Sequence, residues 1–301
     1  MNAPRVSRPL LIADVPWLLY RAFFALPKSI VDGEGRPVNA LLGTVNALLS
    51  AVEAVSPRAV AACMGAEQAV YRVELYPPYH AHRDPMPDAL ARQWQVAPRL
   101  LESLGWTVFE SEELEADDVM FSLSRLETEA DGRALLMTAD RDLFQAVGER
   151  AAVVEIGKDG KPREVGPEQV GERYGIGPEL VPDFIALRGD PSDGLPGAPG
   201  IGAKTAAELL RRHGSLEGAL RAVGWSQERL APLGVTPERP RIATALREHA
   251  EQLLAFKRIA TLVPIDLQRP PDRATDFASG ATTAGELGMK RLAERLSTLA
   301  A

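Results

Sequence analysis

The chain has 301 residues, 46% of them apolar and 25% charged, with a formal net charge of −7. This is ordinary globular material, enough for one large α/β domain or two smaller ones, and the acidic balance argues against a generic nucleic-acid coat protein, which is usually basic. A single cysteine, Cys63, excludes an internal disulfide and a cysteine zinc site, and four histidines are too few and too badly spaced to indicate a zinc enzyme.

In chain order, "MNAPRVS" reads as a short tail rather than a signal peptide, because "PLLIAD" follows at once as a buried strand ending in Asp14. "WLLYRAFFALP" is a helix or turn, "VDGEGRPVNA" a loop, and "ALLGTVNALLSAVEAV" is apolar at helical spacing. "RAVAACMG" is a second strand, with Cys63 as a core thiol. "ALARQWQVAPRLLESLG" is a helix that Pro98 is expected to bend or interrupt. "WTVFES" is a third strand, and "ELEADDVMFSL" opens the next helix. "RALLMTAD" is a fourth strand ending at Asp140, and "AAVVEIG" a fifth. The alternation predicts an α/β fold with a mostly parallel central sheet flanked by helices, and such sheets take ligands at the carboxyl ends of their strands.

From about Gly166 the strands give way to helices with Gly and Pro turns, through "GPEQVGERYG", "PELVPDFIALRG", "DPSDGLPGAPGIGAKTAAELLRRHG" and "TTAGELGMKRLAERLSTLA". The expected division is an α/β core over 1–165 and a helical region over 166–301 packed on it. No apolar run reaches the length of a membrane span, so no membrane contact and a cytoplasmic location are expected.

The acids form a pattern. Asp14 ends the first strand; Glu115, Asp117 and Asp118 follow the third; Asp140 and Asp142 end the fourth; Asp190 and Asp193 open the helical part. In a parallel sheet the first three groups fall on one edge. Glu115 and Asp118 share a helix face, and Asp140 and Asp142 would point the same way from an extended chain. One such acid is usually a cap or turn residue, and an acidic first helical turn suits the helix dipole. Eight of them suit two or more hard divalent ions, which prefer oxygen ligands and cleave phosphodiesters when paired.

"GLPGAPGIGAKTAAELL" adds a second feature. Gly197, Gly200 and Gly202 permit tight turns, Ile201 can anchor them, and the amides of Gly200 to Lys204 then face outward at a helix start, where an anion is favoured. This is the helix–hairpin–helix manner of gripping a DNA backbone without reading sequence. The spacing is not that of a Walker loop.

With these motifs in order, from "LLIADVPWLLYRAFFALP" through "YRVELYPPYHAHRDPMPDAL", "ELEADDV" and "LLMTADRDLFQAV" to "LRGDPSDGLPGAPGIGAKTAAELL", the chain resembles the 5′-nuclease (flap endonuclease) family. The likeness is to the 5′–3′ exonuclease domain of bacterial DNA polymerase I, and the chain is expected to be a free-standing nuclease. The resemblance implies a PIN-like nuclease core and a helix–three-turn–helix motif at about 183–220. It implies magnesium or manganese held by Asp14, Glu115, Asp117, Asp118, Asp140, Asp142, Asp190 and Asp193. Arg83 and Arg21 would contact substrate phosphate, with His80 beside them where the family has a lysine, and Tyr79 would stack near the cut. Gly197, Gly200, Gly202, Lys204 and Thr205 would hold duplex DNA, with a potassium ion at the motif. The implied substrates are DNA with a 5′ flap, 5′ overhang or nick and RNA primers on DNA, cut by a monomer acting in replication and repair.

The sequence departs from the family at Gly65, where an Asp is usual and the nearest acid is Glu67, and at "DVPW" after the first strand. The span between Arg83 and the third strand is short and poor in basic residues for a helical arch. Gly65 and His80 motivate an alternative, a structure-specific DNA-binding protein with weakened catalysis. A phosphatase using a strand-end Asp would want a second Asp two residues on, where Pro16 stands. Trp94, Trp106 and Trp225 read as core or half-buried packing, since no basic residues interleave them as a binding track requires.

Overall fold

The computed structural model describes residues 8–157, 162–225 and 240–301; the expected amino-terminal tail lies outside them. Six strands form one sheet: β1 (Leu10–Asp14), β2 (Ala59–Met64), β3 (Thr107–Glu110), β4 (Ala134–Met137), β5 (Ala151–Ile156) and β6 (Pro162–Val165). Their order is β3-β2-β1-β4-β5-β6. The first five are parallel, and β6 runs antiparallel to β5. β1, β2 and β4 are buried along their whole length, and their unbroken apolar runs are what a parallel sheet covered on both faces demands. β6 is absent from the expected strands. Its sequence, "PREV", carries no apolar run, and its leading proline is tolerated because it sits on an edge.

Helices α1 (Val15–Ala25), α2 (Asn39–Val55), α3 (Val70–Leu75), α4 (Asp88–Ser103) and α5 (Ala116–Glu129) connect the first strands. A single 3-10 turn, Asp142–Ala146, follows β4. The later helices are α6 (Pro167–Tyr174), α7 (Val181–Arg188), α8 (Ala203–His213), α9 (Leu216–Ala222), α10 (Pro240–Glu248), α11 (Ala250–Ala260), α12 (Phe277–Glu286) and α13 (Lys290–Ala300). Helix α4 continues through Pro98, which does not interrupt it. Leu90, Gln93 and Ala97 before the proline and Leu100 and Leu101 after it are all buried, and that shared face outweighs the cost of about 3 kcal/mol for a helical proline. The carboxyl-terminal helical stretch is two helices, parted at Gly288, whose φ of 76° suits only glycine well.

The sheet separates two cores. Leu10 and Ile12 of β1 point into one with α5 and residues of α6 to α11, among them Phe184, Leu209 and Phe256. Leu11 and Ala13 point into the other with α1, α2, α4, α12 and α13. No helix among the described residues is long and apolar enough to cross a membrane.

One buried ion cluster ties the layers. Glu127, at the carboxyl end of α5, is fully buried and pairs with Arg58 and with Arg269 (2.8 Å). Arg58 also donates to the Pro270 carbonyl at 2.8 Å and to Asp272 at 2.9 Å.

Candidate active site

The chain leaves β1 towards β2 on one side and β4 lies on the other, so the carboxyl ends of β1 and β4 form a topological switch point. Asp14 stands there. Its Oδ1 accepts from the Trp17 amide at 2.9 Å and its Oδ2 from the Thr138 hydroxyl at 2.7 Å, across from β1 to β4. Burial still pushes its carboxyl up from the usual range, against these two bonds. Thr138 also accepts from the Asp140 amide at 3.0 Å.

The chain after β4 is not extended. Asp142 starts the 3-10 turn, and its amide donates to Asp140 Oδ1 at 2.8 Å. This local turn, which an aspartate readily forms with its own backbone, replaces the expected two-residue alternation. Burial, then the neighbouring Asp193, pushes Asp140 up to about 7. Burial, then Asp140, Asp193 and Asp190, raises Asp142. Asp117 is raised strongly by burial and by Asp140, Asp14, Glu115 and Asp142. Like charges thus meet from four segments of the chain: Asp14, Glu115 and Asp117, Asp140 and Asp142, and Asp190 and Asp193.

Glu115 and Asp118 at the start of α5 are held differently. The Glu115 amide donates to Asp118 Oδ2 at 3.2 Å, so the pair caps the helix. Glu115 Oε1 accepts from the Ala69 amide at 2.8 Å, and its Oε2 accepts from the Tyr79 hydroxyl at 3.0 Å. Arg72, unremarked in the sequence, lies 3.0 Å from Glu115 Oε1 and donates to Asp118 Oδ1 at 2.8 Å. Nothing in local spacing announces it, because its third bond, to the Ile259 carbonyl at 3.0 Å, spans 187 positions.

Asp190 and Asp193 lie on a tight loop closed by the Asp190 amide donating to the Leu195 carbonyl at 2.8 Å. Asp190 Oδ1 accepts from the Ser192 amide at 2.8 Å and from the Ser192 hydroxyl. Asp193 Oδ1 lies 3.1 Å from His80 Nε2 and accepts from Arg83 at 3.2 Å. His80 is buried with φ 55°, and its ring stacks on Tyr79 at 3.8 Å. Tyr79 is itself buried, so its hydroxyl orients Glu115 and its ring is closed to a base. Arg83 is half exposed on the cleft wall. Arg21 is exposed on α1, its guanidinium 5.6 Å from the Trp17 ring centre.

Tyr79, His80 and Arg83, but not Arg21, open on one cleft of about 1340 Å³, lined also by Asp14, Glu115, Asp117, Asp140, Asp142, Asp190 and Asp193. Asp118 is not on its wall. As the side chains stand, no three His, Cys, Asp or Glu among the described residues are set to hold a metal ion. The donor chemistry nevertheless fits hard divalent cations: buried oxygen donors repel one another, and bound cations relieve that repulsion.

The structure also explains Gly65. A Cβ there would fall 2.5 Å from the Ala116 amide and 2.6 Å from the Glu115 carbonyl carbon, so the start of α5 occupies the space of any side chain. Glu67 is exposed, 3.5 Å from the Tyr20 hydroxyl. In the glycine-rich turn, Gly197 and Gly200 have positive φ, Ile201 is buried, and Gly200, Gly202 and Lys204 are exposed beside the start of α8, with Thr205 half-buried. The first amides of α8 lack intrahelical partners and stand at this open loop.

Comparison with known proteins follows the same outline. The model for a 5′–3′ exonuclease N-terminal resolvase-like domain matches residues 9–175, and that for a 5′–3′ exonuclease C-terminal SAM fold matches 176–274. The chain is 33% identical to a 5′–3′ exonuclease of Mycobacterium tuberculosis, covering 97% of this chain and 98% of that protein. It is 36% identical to the thermostable DNA polymerase I of Thermus thermophilus over 88% of its own length, but spans only 31% of that polymerase. Among solved structures it shares the fold of the T5 D15 protein co-crystallised with metal ions (TM-score 0.68, 17% identity, 98% of this chain and 100% of that one). It also shares that of the catalytic core of Rad2 in complex with DNA substrate (TM-score 0.62, 14% identity, 97% and 93%). Through both family models and the full-length mycobacterial relative, the chain belongs to the 5′–3′ exonuclease family.

Proposed function

We propose that the protein is a divalent-metal-dependent, structure-specific 5′ nuclease that hydrolyses phosphodiester bonds at 5′ flaps, overhangs and nicks. The carrying observation is the set of mutually repelling carboxylates that line one cleft at the switch point, with Arg83 beside Asp193 in the same cleft. Asp14, Asp117, Asp140, Asp142, Asp190 and Asp193, with Glu115 behind them, would hold magnesium or manganese. Such ions, when bound, supply Lewis-acid stabilisation and a strong nucleophile at neutral pH.

The chain's own residues do the rest. Arg83, steadied by Asp193, neutralises the phosphate to be cut, and His80 holds the same Asp193 oxygen. Arg21 gives a further phosphate contact. Gly197 to Thr205 hold the duplex through backbone amides and the Lys204 charge, which positions the strand without reading sequence; the same turn would hold a potassium ion. RNA primers on DNA are further substrates, the protein acts as a monomer, and residues 1–165 and 166–301 are its two parts. The comparisons lend no support to the alternative of a binding protein with weakened catalysis.

The test is cleavage of a 5′-labelled flap DNA with Mg2+, Mn2+ or EDTA. Metal-dependent cutting at the flap junction is expected. Tight flap binding with no cutting in either metal would favour the binding-protein reading.

A further inference from the structure

We propose that Arg72 is a positioning residue that fixes Glu115 from the buried floor of the cleft, and that Asp118 belongs to this clamp and is not a ligand of the divalent ions. The inference rests on the metal-dependent reading above. Asp118 and Asp117 are adjacent on α5, so their side chains point about 100° apart round the helix axis. Asp117 faces the cleft, whereas the Asp118 side chain is fully closed off from it. Both Asp118 oxygens are engaged: Oδ1 by Arg72 and by the Val263 amide, each at 2.8 Å, and Oδ2 by the Glu115 amide. A carboxylate with both oxygens engaged and no exposed surface is out of reach of an ion in the cleft.

Arg72 has the geometry for the complementary task. Its guanidinium is 3% exposed and meets three acceptors at once: Glu115, Asp118 and the Ile259 carbonyl. A planar fork with fixed donor directions sets the orientation of what it touches; a lysine ammonium carries the same charge without that plane. The two charges of Glu115 and Asp118 are thereby offset by one internal cation, while Asp117, Asp140 and Asp142 keep theirs for the cleft.

The test uses the full-length variants D117N, D118N and R72K, with thermal unfolding in EDTA and calorimetric titration with Mn2+ alone. D118N should unfold roughly 5 °C or more below the parent, as expected for a broken buried pair, yet bind Mn2+ within about threefold of it. D117N should unfold higher than the parent in EDTA and lose Mn2+ binding. R72K should lower kcat on flap DNA by about tenfold with KM unchanged, the range for lost orientation of a ligand. A D118N protein that is stabilised in EDTA, or that loses Mn2+ as D117N does, overturns the assignment of Asp118. An R72K enzyme with parental kcat overturns that of Arg72, and decides alone if D118N does not fold. A parent that binds no Mn2+ at all would strike instead at the metal reading, and the EDTA midpoints would still place Asp118 inside or outside the repelling set.

Discussion

Helix α5 carries buried carboxylates at both ends, and the protein treats them in opposite ways. At its carboxyl end Glu127 is enclosed by Arg58 and Arg269, and although burial works against it, these two guanidinia hold its carboxyl below the usual range. At its amino end Asp117 faces four other acids, and burial and their charges drive it up. The first arrangement neutralises itself and serves the fold. The second is left with excess negative charge, which costs stability unless something outside the chain compensates it. Perturbation upwards by like charges in a cleft marks a site of action; perturbation downwards by dedicated arginines marks a fastening.

The largest test of this contrast is Asp140→Asn. It should reduce metal-dependent flap cleavage by about a thousandfold or more, the scale of lost electrostatic stabilisation at a reacting centre, while raising the thermal midpoint in EDTA. Next is Glu127→Gln, which leaves two arginines facing a neutral group. Chemical denaturation should show a loss of about 3–5 kcal/mol, with kcat per folded molecule unchanged. An activity loss without that destabilisation would erase the distinction between the two ends.

Gly65→Asp should not add a working ligand. Crowded against the Ala116 amide, the new side chain should cost about 1–3 kcal/mol and leave Mn2+ affinity no better; tighter Mn2+ binding would refute the steric account. The smallest effect is a pH dependence of opposite sign in the two clusters, that of Asp140 with Asp117 and that of Glu127. Asp140 titrates near 3.8 when unfolded and near 7 when folded. The folded state therefore holds an extra proton between those values, and stability in EDTA should fall as pH rises through about 7. The Glu127 contribution runs the other way, present above its unfolded value and lost only as pH falls through its lowered folded value. Melting curves in EDTA between about pH 5 and pH 8 should decline by a few degrees, and saturating Mn2+ should flatten the decline.

Much of the fold was legible because parallel strands announce themselves as apolar runs: "LLIAD", "AVAACM" and "ALLM" are buried throughout. β6 escaped because an edge strand needs no such run. In the site, the acids are visible as residues at strand ends, since chain order alone sets that edge. What holds them was not. Arg72 reaches Ile259, and Asp14 reaches Thr138 over 124 positions, and no local pattern encodes such partners. Tyr79 is likewise expected to stack near the cut, and only packing shows its hydroxyl turned onto Glu115.

The division of the later helices between the two faces of the sheet has a consequence for where the protein can be cut. The second family model ends at residue 274, yet the next residues close the core. The Trp106 indole donates to the Thr275 hydroxyl at 3.0 Å, the Asp276 amide donates to the Leu104 carbonyl at 2.8 Å, and Ala284 and Leu296 fill the layer beside α4. A fragment trimmed to the family boundary would open that layer to water, so the shortest stable piece is longer than the shortest recognisable one.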